Sequence, residues 1–135
     1  MNTTARAGFT LVEVMVVAII VAILMTVMVP ILMGNKNRAM VTEAQTGLGM
    51  IRGAMRVFKT ENNTYPITDQ GKDLSQNTGL SVKPGDLDGH YFKSDGYVLT
   101  RITASNFVIT ARGYTNGAES LAVTLDENGG WGGVP

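Results

Sequence analysis

The most constraining feature of this chain is an apolar run near its start. Every residue over 14–25 is apolar, and after Thr26 the run resumes to Met33 with Pro30 inside it. About 20 such residues form a helix roughly 30 Å long, which matches the hydrocarbon core of a bilayer. Removing it from 135 residues leaves roughly 100, enough for one small core. At the head of the run stands a carboxylate, Glu13. A charge at the centre of a bilayer costs about 2.5–3.5 kcal/mol on insertion scales, so an element that only anchored would do better without it.

Two simple readings of the run leave something over. A secretory signal has an apolar region of roughly 7–15 residues and ends at a small-x-small cleavage site. Here the run is longer and ends in "MVPILMGNK". A plain single-span anchor suits the length but leaves Glu13 unexplained, unless that residue sits among the headgroups and reaches water.

Composition removes several chemistries. The chain has 11 basic and 11 acidic residues and a formal net charge of +0, so it carries no electrostatic footprint for nucleic acid. It has no cysteine, which excludes disulfides, thiolate metal sites and cysteine nucleophiles. Its one histidine, His90, cannot build a histidine metal cluster and reads as a loop residue. Most of the 8 methionines lie between Met15 and Met55, as flexible apolar filler in a helical region.

The junction ahead of the run reads "GFTLVE", residues 8–13. It resembles the processing and assembly signature of type IV pilins and of the pseudopilins of type II secretion. That signature is a short polar leader ending in Gly, an aromatic or Met, a polar residue, two aliphatics and Glu, all before an apolar helix. Gly8, Phe9, Thr10, Leu11, Val12 and Glu13 fill these places in order. Pro30 falls where many members carry a proline in the same helix.

The resemblance implies cleavage between Gly8 and Phe9 by a prepilin peptidase on the cytoplasmic side, then N-methylation of Phe9. It implies that Glu13 pairs with the Phe9 ammonium of a neighbouring subunit. Both groups are charged at neutral pH, and each is costly alone in a low-dielectric bundle but tolerable as a pair. The partners it implies are further copies of the chain in a helical homopolymer, the peptidase and methylase, an inner-membrane assembly machinery, and the membrane before assembly. An N-terminus-inside orientation also comes from the resemblance. The charges do not supply it, because the leader holds only Arg6 while Lys36 and Arg38 follow the run. In assembled relatives, residues 22–30 are expected to unwind ahead of Pro30.

Beyond the run the chain reads as a globular head, residues 34–135. Val41, Ala44, Leu48, Ile51, Met55 and Phe58 form an apolar stripe at helical spacing, which predicts an amphipathic helix over about 34–62 that packs on a sheet. "ENNTYP" ends it. Gly47, Gly49 and Gly53 within it each cost about 1 kcal/mol relative to Ala and predict close packing or a bend. A polar, turn-rich loop is expected over about 63–95. Three short strands follow over about 96–126, with Val98 and Ile102 alternating against Tyr97, Leu99 and Arg101, and with Phe107, Ile109 and Ala111 on one face and Leu121, Val123 and Leu125 on another. The tail is glycine-rich around Trp131, whose role the sequence leaves open. The predicted class is α+β: a long N-terminal helix, half transmembrane and half amphipathic, packed on a small antiparallel sheet.

Few residues suggest chemistry of their own. "DLDG" puts Asp86 and Asp88 in a calcium-loop-like start, but the sixth and twelfth positions would be Tyr91 and Tyr97, so it is no EF-hand. Some major pseudopilins hold calcium in the head, which keeps Asp86 and Asp88 as candidate ligands against a default of solvated turn residues. Residues 62–64 form a formal glycosylation sequon. No phosphate loop or nucleophile elbow occurs. No cofactor and no catalytic residue is expected.

The expected function is structural: a subunit of a type IV pilus-like filament, stored in the inner membrane and assembled outside the cell. The first alternative is the major pseudopilin of a type II secretion pseudopilus in the periplasm. The second is a membrane-anchored binding domain that never polymerises, for which replacing Glu13 by Ala should be harmless.

Overall fold

The computed structural model describes residues 8–76, 78–115 and 117–133. The leader before Gly8, Arg6 included, lies outside them. One helix, α1, runs over Leu11–Asn62 with Pro30 inside it. Contacts divide the chain into two units between Asn37 and Arg38.

In the first unit the helix side chains touch almost nothing. Every large apolar residue there, from Leu11 to Met33, is exposed. An 18-residue window of the helix has mean hydropathy 3.0, with none of it buried. Thr26 satisfies its hydroxyl on its own helix, donating to the Ile23 carbonyl at 2.7 Å. Hydroxyls in helices commonly bond back in this way. Pro30 has no N–H to give the carbonyl of Thr26, four residues back, and the helix continues through it.

The second unit is an α+β head built around the stripe read from the sequence. Ala44, Leu48, Ile51 and Met55 are fully buried, and Met40, Gly47 and Ala54 join them. Val41 and Phe58, at the ends of the expected stripe, are only half-buried. The helix stops at Asn62, whose amide donates to the Phe58 carbonyl at 3.0 Å. Asn63 follows at φ 60°, a left-handed conformation that Asn tolerates better than most residues.

Four strands form an antiparallel meander in the order β1 (Tyr97–Ile102), β2 (Phe107–Arg112), β3 (Ala122–Asp126) and β4 (Trp131–Gly132). Two expectations are corrected here. The glycine-rich tail supplies a fourth strand, with Trp131 paired to Leu125. The alternation expected in β1 also fails, because the register shifts between Leu99 and Arg101. The extra residue, Thr100, turns Ile102 inward beside Tyr97 and Leu99, as a β-bulge does. Phe107, Ile109 and Ala111 share the buried face, as do Val123 and Leu125, with Leu121 half-buried beside them.

The connection between α1 and β1 is more than a polar loop. It gives Tyr65, Leu74, Leu80, Leu87 and Phe92 to the core. It also covers the outer edge of β1: Gly71 donates to the Leu99 carbonyl at 2.7 Å, Leu99 to Lys72 at 2.9 Å, and Leu74 to Tyr97 at 3.0 Å. An uncovered edge would be a template for unwanted pairing.

Candidate assembly site

The start of α1 is a closed capping arrangement. Thr10 precedes the first helical residue, Leu11, and Glu13 is the third helical residue. The Thr10 N–H donates to Glu13 Oε2 at 2.9 Å, and the Thr10 hydroxyl donates to the same oxygen at 3.0 Å. In return the Glu13 N–H points to Thr10 Oγ1 at 3.3 Å. This is a capping box, in which two orphan donors of a helix start are satisfied reciprocally. The "T-L-V-E" spacing within the family signature is thus also a helix-start signal. Thr10 fills a place in the signature, and its capping role follows from its three-residue spacing from Glu13.

The other site residues lie in the open. Phe9 is 87 % exposed, and no atom approaches the Cβ position of Gly8 within 4 Å. From Leu11 to Met33, with only Glu13 and Thr26 between, the helix presents an apolar surface that nothing in the described residues covers. A surface of this extent requires lipid or other helices around it.

Asp86 and Asp88 are turn residues in this structure. Asp86 Oδ2 accepts from the Lys83 N–H at 2.9 Å. Asp88 Oδ1 accepts from the Ser94 N–H and hydroxyl, each at 2.8 Å. The Ser94 N–H, then its hydroxyl, hold the Asp88 carboxyl below the usual range, with the charge of Lys93 adding to the effect. Calcium needs six to eight oxygens free to turn toward it. Here N–H donors hold an oxygen of each acid, and among the described residues no three His, Cys, Asp or Glu side chains are grouped as metal ligands. One oxygen of each acid is thereby committed to its own turn. His90 is exposed and stacks edge-on to Tyr91, with centroids 4.7 Å apart.

One further carboxylate organises the head. Glu43 reaches from α1 to the loop, where its Oε1 accepts from the Tyr91 and Phe92 N–H groups at 2.8 Å each. Gly89 gives it room, since a Cβ there would fall on the carboxylate. Glu43, Asp86 and Asp88 line a mostly apolar groove of about 570 Å³ with Gly47, Met50, Leu87 and Tyr97.

Comparison with known families separates the readings. Residues 3–29 match the family described as the prokaryotic N-terminal methylation motif. Residues 31–105, more than half of the chain, match type II secretion system (T2SS) protein G. This chain belongs to the type II secretion protein G family. Its curated relatives include the type II secretion system core protein G of Vibrio cholerae serotype O1, 38% identical over 93 residues, or 69% of this chain and 60% of that protein. The core protein G of Aeromonas hydrophila is 40% identical over 95 residues, covering 69% and 66%. That of Klebsiella michiganensis is 37% identical over 98 residues, covering 73% and 66%. The chain thus spans 60% to 66% of the length of these relatives. No solved structure matches it. The names of these relatives point to type II secretion, the first alternative above, and none of the three names a pilus. The protein G match ends at residue 105, ahead of β2.

Proposed function

We propose that this chain is a pseudopilin that polymerises within the cell envelope in the service of type II secretion, and that it works by assembly rather than catalysis. The observation that carries the reading is the capped apolar helix. Its head is a Thr10–Glu13 box, its flank is wholly exposed, and it runs on into a head of the protein G family. The membrane stores the subunit, and extraction exchanges lipid contacts for contacts between helices.

The geometry supports a role for Glu13 in setting register. Cleavage between Gly8 and Phe9 leaves the Phe9–Thr10 peptide intact, so the Thr10 N–H that holds Glu13 survives processing. Oε2 takes both Thr10 donors. Oε1 accepts nothing from the described residues and is left to receive the ammonium of a neighbour's Phe9. A charge-assisted pair of this kind is shorter and stronger than a neutral hydrogen bond. With every subunit carrying the same pair, a heterologous contact repeats into a filament.

The test is the intact mass of the chain in separated fractions: sheared surface material, the envelope, and secreted medium. A chain beginning at methylated Phe9, held in envelope oligomers, is the expected result. The same processed chain in long sheared fibres would return the assignment to an extracellular pilus. An uncut chain, monomeric in membranes, would leave only an anchored domain.

A further inference from the structure

The C-terminal hairpin, outside the protein G match, is fastened to the helix in an unusual way. Three cations on one face of α1, Arg52, Arg56 and Lys59, converge on a single residue of the β3–β4 turn, Glu127. Arg52 donates to the Glu127 carbonyl from Nε at 3.3 Å and from Nη2 at 2.9 Å. Arg56 Nη2 reaches the same oxygen at 3.5 Å. Lys59 Nζ lies 3.7 Å from Glu127 Oε1 and 4.5 Å above the Tyr65 ring, which meets Phe107 edge-on at 4.9 Å. The turn itself is tight: Gly129 has φ +93°, and the Arg52 guanidinium stands 3.0–3.3 Å from where a Cβ would project.

We propose that this cation clamp, with Arg52 as its principal member, holds the β3–β4 hairpin on the head, and that the hairpin takes no divalent cation. Magnitudes decide the ranking. The Lys59–Glu127 pair is exposed at 36% and 25%, and pairs of that kind contribute little. The Arg56 contact is at the limit of a hydrogen bond. Arg52 is half-buried and makes two charge-assisted bonds to one carbonyl, which is the strong kind.

Calcium is the ion that the family resemblance brings forward for such a head, and the turn does not suit it. Asp126 Oδ1 is taken by the Gly130 N–H at 2.6 Å. The Glu127 carbonyl, an oxygen that calcium would want, is covered by guanidinium. A divalent cation would sit against Arg52, Arg56 and Lys59, and like charges at this range repel. The hairpin therefore carries its cations on the helix.

Trp131, the one tryptophan of the chain, lies in β4 and reports on the hairpin directly. Its acrylamide quenching and the thermal midpoint are to be measured on the full chain in detergent, with calcium and with EGTA, for the native sequence and for Arg52→Gln. EGTA is expected to move neither reading. Arg52→Gln is expected to raise quenching and to lower Tm by about 4–8 °C. Should that variant not fold, Arg52→Lys takes its place. It keeps the charge but not the two-nitrogen fork, and intermediate quenching is expected. Native quenching in the substituted chain, or an EGTA effect that mimics the substitution, overturns the proposal.

Discussion

Gly47 makes room for Tyr97: a methyl group at Gly47 would overlap the hydroxyl and ring of that tyrosine. The close approach lets α1 settle onto β1 with Tyr97 only 1% exposed. Gly49 and Gly53, on the same helix, meet nothing within 4 Å.

The three helix glycines should therefore respond with opposite signs to alanine. At Gly47, overpacking of about 1–3 kcal/mol outweighs the roughly 1 kcal/mol gained in helix propensity, so Gly47→Ala should destabilise the head. Gly49→Ala and Gly53→Ala should each stabilise it by up to about 1 kcal/mol. Urea midpoints of the three variants check this, and equal shifts in one direction would contradict it.

Tyr97 also predicts an alkaline limit. Burial, and then the negative charge of Glu43, push its hydroxyl well above the ordinary phenol value. A group whose folded pKa is raised contributes stability below its unfolded value, near 10, and loses it as pH rises beyond that. The head should lose stability steadily above about pH 10. Tyr97→Phe should flatten that decline in a series of thermal midpoints.

The opposite sign applies at Asp88 and Asp73. Ser94 lowers the first, through its N–H and then its hydroxyl, and Ser75 lowers the second, mainly through its hydroxyl. Depressed carboxyls contribute above their unfolded value and lose that contribution as pH falls through the folded one. The loss should fall below about pH 4. Asp88→Asn should weaken the acid dependence of Tm, and an unchanged acid limb would show that the Ser94 bonds do not count.

What could be read from the sequence was local, and what escaped was not. Ala44, Leu48, Ile51 and Met55 announce a helix face because helical periodicity needs only neighbours. "GFTLVE" is legible for the same reason, although Glu13's proposed partner lies on another copy. The bulge at Thr100 reverses the alternation of β1, and no residue type in "YVLTRI" marks it. The stretch 71–73 gives no strand signal because its work at the β1 edge is done by backbone groups. Arg52 and Glu127 are 75 residues apart, so their contact has no local signal.

Glu43 should be costly to lose. Its removal leaves the Tyr91 and Phe92 N–H groups without the acceptor that pins their loop to α1. Part-buried donors left unpaired cost about 1–3 kcal/mol each. Glu43→Ala should lower stability by about 2–4 kcal/mol, while Glu43→Gln, which keeps an acceptor oxygen, should lose about 1 kcal/mol. Chemical denaturation of both variants separates the staple from a mere surface charge.

Thr10 and Glu13 should separate helix capping from assembly. Thr10→Val keeps the shape but removes the hydroxyl that Glu13 uses on both sides. It should cost the helix start about 1 kcal/mol, seen as faster hydrogen exchange at Leu11 and Val12. The Thr10 N–H remains to hold Glu13 Oε2, so envelope oligomers should persist at reduced yield. Glu13→Gln keeps an acceptor for that N–H yet carries no charge for a neighbour's ammonium. It should still be cleaved and should leave the chain monomeric in the membrane. If Glu13→Gln assembles normally while Thr10→Val does not, the carboxylate serves only the cap, and the proposed pairing with Phe9 is wrong.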